Sequence, residues 1–186
     1  LSAIGDHFVI NIGRQLGSGG REIGEKLAAS LELSFYDQEL INLASEESGL
    51  CRDFFEKADE KPSQPLMNGL FGMRFPFPND SIMACNSCLS NDALFKVQSD
   101  VIRKLAAEKS CLFVGRCADY ILRDHPRHVN VFVSASLDDR IERLCQTMHV
   151  GKAEAEELIE RTDKKRSEYY NYYSYKTWGA AATYHL

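Results

Sequence analysis

The residues best suited to chemistry lie in one run, Gly13-Arg14-Gln15-Leu16-Gly17-Ser18-Gly19-Gly20-Arg21. The glycines Gly13, Gly17, Gly19 and Gly20 let a backbone adopt left-handed angles and approach a ligand closely, and N–H groups at the start of a helix gather around an anion. Arg14 and Arg21 flank the turn with guanidinium groups that grip phosphate oxygens in pairs. Further on stand Asp37, Gly115-Arg116 and the basic stretch Arg161, Lys164, Lys165 and Arg166. Together these residue types point to binding a phosphate and neutralising its charge. Each also has a plainer role. A glycine-rich turn can simply lead into a helix, Asp37 makes a good helix N-cap, and Arg116 can pair with Asp119 or Asp124. The 161–166 stretch can be a solvated face paired with Glu157 and Glu160. The loop's position directly behind a strand favours the phosphate reading.

The elements that must position these residues follow from hydrophobic spacing. Phe8 to Ile12 reads as a strand, and Arg21 to Leu31 as a helix with Ile23, Leu27, Ala28 and Leu31 on one face. A strand ending near Phe35 and Tyr36 leads to a helix from Gln38 to Ser48. From Lys61 to Asn91 four prolines and scattered glycines give neither period, which suggests an insert or small subdomain. A helix through Val97, Val101, Ile102 and Leu105 precedes the strand Cys111 to Val114, and another strand runs from Val129 to Val133, both expected to be buried on two faces. Ser136 with Asp139 forms a capping box for a helix carrying Ile141, Leu144, Cys145 and Met148, and helical character resumes from Lys152 towards Tyr170. The tyrosines Tyr169, Tyr170, Tyr172, Tyr173 and Tyr175 read mainly as packing. Strands alternating with helices imply a three-layer α/β domain with a parallel sheet and ligands at the carboxyl ends of its strands.

With 44% hydrophobic residues in 186, the chain can bury one core. A net charge of −5 excludes a global basic surface, so neither a DNA or RNA polymer nor a membrane surface is an expected partner. No apolar run approaches the roughly 20 residues of a membrane span, and the opening residues lack a leader pattern, so a cytoplasmic location is expected. The six cysteines are dispersed, as reduced thiols usually are, and the lone Cys85/Cys88 pair lacks the second pair or histidines of a zinc site.

The segments Ile12-Gly13-Arg14-Gln15, Gly17-Ser18-Gly19-Gly20-Arg21-Glu22-Ile23-Gly24, Phe35-Tyr36-Asp37 and Phe113-Val114-Gly115-Arg116-Cys117-Ala118-Asp119-Tyr120 resemble the cytidylate kinase-like branch of the P-loop nucleoside-monophosphate kinases. The stretch Ile159 to Arg166 is similar to the arginine-rich lid of cytidylate kinases. The resemblance implies a three-layer P-loop fold with a central parallel sheet, an acceptor-binding insert at about 50–96 and a helical lid at about 150–176, the last strand and helix lying beyond Leu186. It also implies ATP and Mg2+ as cofactors, small nucleotide substrates, and phosphoryl transfer to a nucleoside monophosphate such as CMP. Donor phosphates would lie against Gly13, Arg14, Gly17, Ser18, Gly19, Gly20 and Arg21. Arg21, Asp37, Arg116, Arg161 and Arg166 would serve transfer, with Ser18, Asp37 and Asp119 the magnesium candidates. Two positions depart from the usual loop: Gly20 stands where its lysine belongs, and Arg21 near its Ser/Thr. Val114 also replaces an aspartate of ordinary cytidylate kinases. These departures leave open a nucleotide-binding regulator without turnover, or a kinase of another small metabolite.

Overall fold

The computed structural model describes residues 7–47 and 91–186. Most of the proline-rich stretch and the Cys85/Cys88 pair lie outside them. Four strands, β1 (Val9–Arg14), β2 (Ser34–Tyr36), β3 (Cys111–Val114) and β4 (His128–Val133), form a parallel sheet in the order β2-β3-β1-β4. Helices α1 (Gly20–Ser30), α2 (Gln38–Glu47), α3 (Asn91–Glu108), α4 (Ala118–Ile121), α5 (Leu137–Met148) and α6 (Lys152–Ser174) connect or follow the strands. The architecture is the expected three-layer P-loop fold. Residues 91–96, expected within the insert, form the first turns of α3.

Strand alternation sorts the core into two layers. Ile10, Ile12, Leu112 and Val114 face α1, whereas Val9, Cys111 and Phe113 face a layer containing Ile41, Ile102, Ala106, Ile121 and Tyr170. α1 does not dock on all of its expected apolar face: Ile23 and Leu31 are exposed, and the buried stripe is Gly20, Gly24 and Ala28. Small residues one turn apart bring that helix close to the sheet. The tyrosines of α6 largely pack, Tyr173 stacking on Phe95 of α3 with ring centroids 4.0 Å apart. Tyr172 and Tyr175 remain exposed.

β3 is buried throughout, as expected, but β4 is only half-buried except at Asn130. The reason is its place at the edge of the four-strand sheet. Residues 184–186 lie along that edge: His185 N donates to Asn130 O at 2.7 Å, and Phe132 N donates to Leu186 O at 2.9 Å. Among the described residues no helix is long and apolar enough to cross a membrane.

One polar pair interrupts the sheet's interior. Asn11 Nδ2 donates to Asn130 Oδ1 at 2.9 Å across β1 and β4, and both residues are buried. Replacing one partner strands the other's amide. Asn130→Leu should therefore cost about 1–3 kcal/mol, and adding Asn11→Leu should recover much of that loss. Urea midpoints of the two variants decide it, and a neutral single variant would show that the pair contributes nothing.

Candidate phosphate-binding site

The loop begins where β1 ends. Gly17 and Gly19 both take φ +79°, in the left-handed region, and Gly19 caps α1 without a side-chain hydrogen bond. The loop's hydrogen bonds are few. Gln15 N donates to Val133 O at 3.1 Å, Ser18 N to Gln15 O at 3.4 Å, and Ile23 N to Gly19 O at 2.9 Å. Among the described residues the amides of Gly17, Gly19, Gly20, Arg21 and Glu22 have no backbone acceptor. Their helix-start position gives them a positive field as well as free donors.

Leu16 is the loop's fixed point. Its N–H donates to Asp163 Oδ1 at 2.8 Å, and its carbonyl accepts from Arg140 Nε at 2.7 Å. Arg140 and Asp163 in turn form an ion pair, with both side chains mostly buried. Arg140 lies on α5 one helical turn before the buried Leu144, and Asp163 lies on α6. Leu144, Ala155 and Ile159 pack the two helices together, with Leu16 against them.

Two cavities meet at this loop. One, of about 540 Å³, is bordered by Gly17, Gly19, Gly20, Arg21 and, from α5, Arg143. The other, of about 320 Å³, lies at the carboxyl ends of β1 and β3 under α6, where Arg116, Tyr169 and Trp178 line it. Arg14 and Arg166 border both. Desolvation, followed by repulsion from Arg166 and Arg116, pushes the Arg14 pKa down to about 9. Arg166 is lowered too, chiefly by desolvation. The third arginine, Arg116, sits in a strained turn: Gly115, Arg116 and Cys117 all have positive φ, and the two non-glycine residues lie at 56°. Its guanidinium is 5.4 Å from the Tyr169 ring centroid, and its buried Nε has no hydrogen-bond partner among the described residues.

The carboxylates near the loop are committed. Asp37 Oδ1 caps α2 by accepting from Glu39 N and Leu40 N at 3.0 and 3.1 Å. Its Oδ2 accepts from Arg21 Nε and Nη2, both at 2.9 Å. Arg21 also pairs with Glu25 at 2.7 Å, and the Asp37 hydrogen bond raises its pKa. Asp119 accepts from Tyr170 Oη at 2.6 Å, and burial raises its pKa.

Comparison with known proteins decides the family, because the cytidylate kinase-like family matches residues 9–186. The chain belongs to the cytidylate kinase-like family. A solved structure of an uncharacterized protein from Eubacterium ventriosum is 25% identical, with a TM-score of 0.70, covering 96% of this chain and 85% of that one. Shikimate kinase from Bacteroides thetaiotaomicron is more distant, at 13% identity and TM-score 0.46, covering 88% of this chain and 82% of its own. A gluconokinase from Sinorhizobium meliloti stands at 14% and 0.43, covering 83% and 74%. No curated protein gives a significant match.

Members of the cytidylate kinase-like family are expected to use a nucleotide with magnesium, and the donor groups here fit the two unequally. The amides left without acceptors among the described residues, with Arg14 and Arg116 beside them, suit a polyphosphate. Of the three magnesium candidates, Ser18 and Asp37 border neither cavity, Asp37 has both oxygens engaged, and Asp119 accepts from Tyr170. Among the described residues no group of three or more His, Cys, Asp or Glu side chains is placed to hold a metal. These residues do not fit a protein-held magnesium.

Of the other expected site residues, the structure gathers Arg14, Arg116 and Arg166, with Gly13 at the edge of the strand-end cavity. Arg161 is exposed and borders neither cavity. Sequence reasoning missed Arg140, Asp163 and Arg143. The available signal was Arg140 itself, a charge on the buried face of α5 that demands a partner.

Removing one member of a buried ion pair leaves the other uncompensated. Arg140→Ala should therefore cost about 3–5 kcal/mol in denaturant unfolding, whereas Arg161→Ala on the exposed face should stay within about 0.5 kcal/mol. A cost for Arg140→Ala below about 1 kcal/mol would show that Leu16 needs no such brace.

Proposed function

We propose that this chain binds a nucleoside triphosphate on the loop from Gly17 to Arg21 and transfers its terminal phosphoryl group to a small acceptor in the strand-end cavity. One observation carries this reading. A row of unpaired helix-start amides opens beside three converging arginines, at the place where two cavities meet. An acceptor oxygen would attack the terminal phosphorus, forming one P–O bond. The bond to the bridging oxygen breaks, and the nucleoside diphosphate leaves with its electron pair. Such a transfer needs positioning and charge neutralisation more than covalent help. Arg14, Arg116 and Arg166 supply the charge, and α6 forms one wall of the cavity.

Family membership makes a nucleoside monophosphate such as CMP the first acceptor to try, with ATP as donor and magnesium accompanying it. Magnesium would neutralise phosphate charge when bound. What this chain's own residues contribute is different: loop amides that orient oxygens, arginines that hold them, and Tyr169 beside Arg116 as a flat surface in the cavity. A second reading, a nucleotide-binding regulator without turnover, draws on the engagement of Asp37 with Arg21 and the α2 amides, and of Arg21 with Asp37 and Glu25.

ATP with magnesium should raise the melting temperature, and a coupled assay over a panel of nucleoside monophosphates and small phosphorylated or hydroxylated metabolites should find an acceptor. Binding without turnover on any acceptor would favour the regulator. Gly19→Val tests the loop itself. A side chain there meets both a positive φ and the Arg143 guanidinium, 3.2 Å from an added Cβ, so a folded variant should lose the ATP-induced stabilisation. Normal stabilisation would remove the loop from the site.

A further inference from the structure

In the ordinary phosphate loop, G-x-x-x-x-G-K-[ST], a glycine opens the motif and a lysine stands six positions later, its ammonium reaching the β and γ phosphates. Aligned on Gly19 as the second glycine, this chain has Arg14 at the opening position and Gly20 at the lysine position. The cation and the glycine have exchanged places.

The structure gives that exchange a steric basis. A Cβ added at Gly20 would lie 2.5 Å from Arg14 Cβ and 3.2 Å from Val133 Cβ, so a side chain cannot leave both positions at once. A second glycine serves the same guest: a Cβ at Gly115 would lie 2.2 Å from Arg14 Nη1. The Arg14 side chain thus passes between the end of β3 and the first residue of α1, and its guanidinium borders both cavities.

Its charge lacks a partner. Among the described residues no carboxylate lies within ion-pair distance of Arg14, and Asp37 and Asp163 act on it only across space. Two further arginines, Arg116 and Arg166, crowd it. Arg21 differs on each count, since its side chain is 58% exposed and tied to Asp37 and Glu25. A desolvated cation among other cations is unstable unless an anion joins it.

We propose that Arg14 does the work of the phosphate-loop lysine in this chain, holding the donor's transferring phosphate from the strand side of the loop at the junction of the two cavities. The inference rests on the donor reading of the loop. It gives Arg14 rather than Arg21 the lysine's role, and it explains Gly20 as the space that the exchange requires.

The test is a reciprocal swap, read by calorimetric titration with a non-hydrolysable ATP analogue and by unliganded melting. Arg14→Gly should weaken analogue binding on the order of 10- to 100-fold, the loss expected for charge-assisted hydrogen bonds. Gly20→Lys alone should also bind poorly because its stem meets Arg14. The double variant, Arg14→Gly with Gly20→Lys, rebuilds the ordinary motif and should recover most of the lost affinity. Arg14→Met keeps a stem between the two glycines and removes only the charge. It should bind as weakly as Arg14→Gly while melting higher than the wild type when unliganded, because the crowded cation is gone. A merely structural arginine would lower that melting temperature. Wild-type affinity in Arg14→Met, or a double variant no better than Arg14→Gly, overturns this assignment alone. Failure of the wild-type chain to bind the analogue overturns the donor reading of the loop and this assignment with it.

Discussion

The clamp on Leu16 holds the site's geometry. Its N–H and C=O are taken by Asp163 and Arg140, which also bond to each other, so a single peptide segment is threaded through an ion pair. Burying that pair has a large desolvation cost, which hydrogen bonds to the backbone help to offset. In return the loop's path is fixed by groups that leave the following amides unspent. An unbraced glycine loop would turn those amides towards its own carbonyls or water. The brace also joins α5, α6 and the loop into one unit, so the charge that α6 brings through Arg166 arrives in register with the amides.

Charge is distributed here by commitment rather than by excess. The chain is acidic as a whole, yet the acids nearest the loop are each engaged: Asp37 by Arg21 and the α2 amides, Asp163 by Arg140 and Leu16, Glu22 by Lys26 and Arg143. Among the described residues Arg14, where the cavities meet, has no carboxylate partner, and Arg166 beside it reaches Asp163 only at 3.7 Å. Concave, low-dielectric walls strengthen such a field locally without making the protein a general polyanion binder. The strained Gly115-Arg116-Cys117 turn fits this picture, because it holds Arg116 over Tyr169 rather than letting it reach a surface acid.

The fold was legible wherever one periodicity ruled. β3 emerged from its unbroken apolar run, and the α5 cap from Ser136, whose Oγ accepts from Asp139 N at 3.2 Å. Both signals are local. Hydrophobic spacing alone points α1 the wrong way, because the sheet selects the small stripe of Gly20, Gly24 and Ala28. The single turn α4 was too short for any period to register. The Leu16 clamp joins residues 124 and 147 positions away, and nothing local in the sequence encodes such a pairing. Asp37 is legible as a cap, but its roles in transfer and in holding magnesium need its second oxygen free. It faces Arg21, whose own side chain was a candidate for the phosphate.

That last exchange shows why a motif's letters and its chemistry can part. A motif records where a side chain leaves the backbone, whereas a phosphate responds to where the charge arrives. Arg14 and Gly20 leave the chain on opposite sides of the loop but compete for one volume, so only one of them can carry a stem. An arginine starting on the strand side brings a planar fork that meets oxygens in pairs, where a lysine starting on the helix would bring a point charge. The space where its stem leaves the strand has to be empty of a second Cβ, which is the condition that Gly20 meets. Missing lysine and surplus arginine are therefore one structural fact, and neither is intelligible from its own position in the sequence.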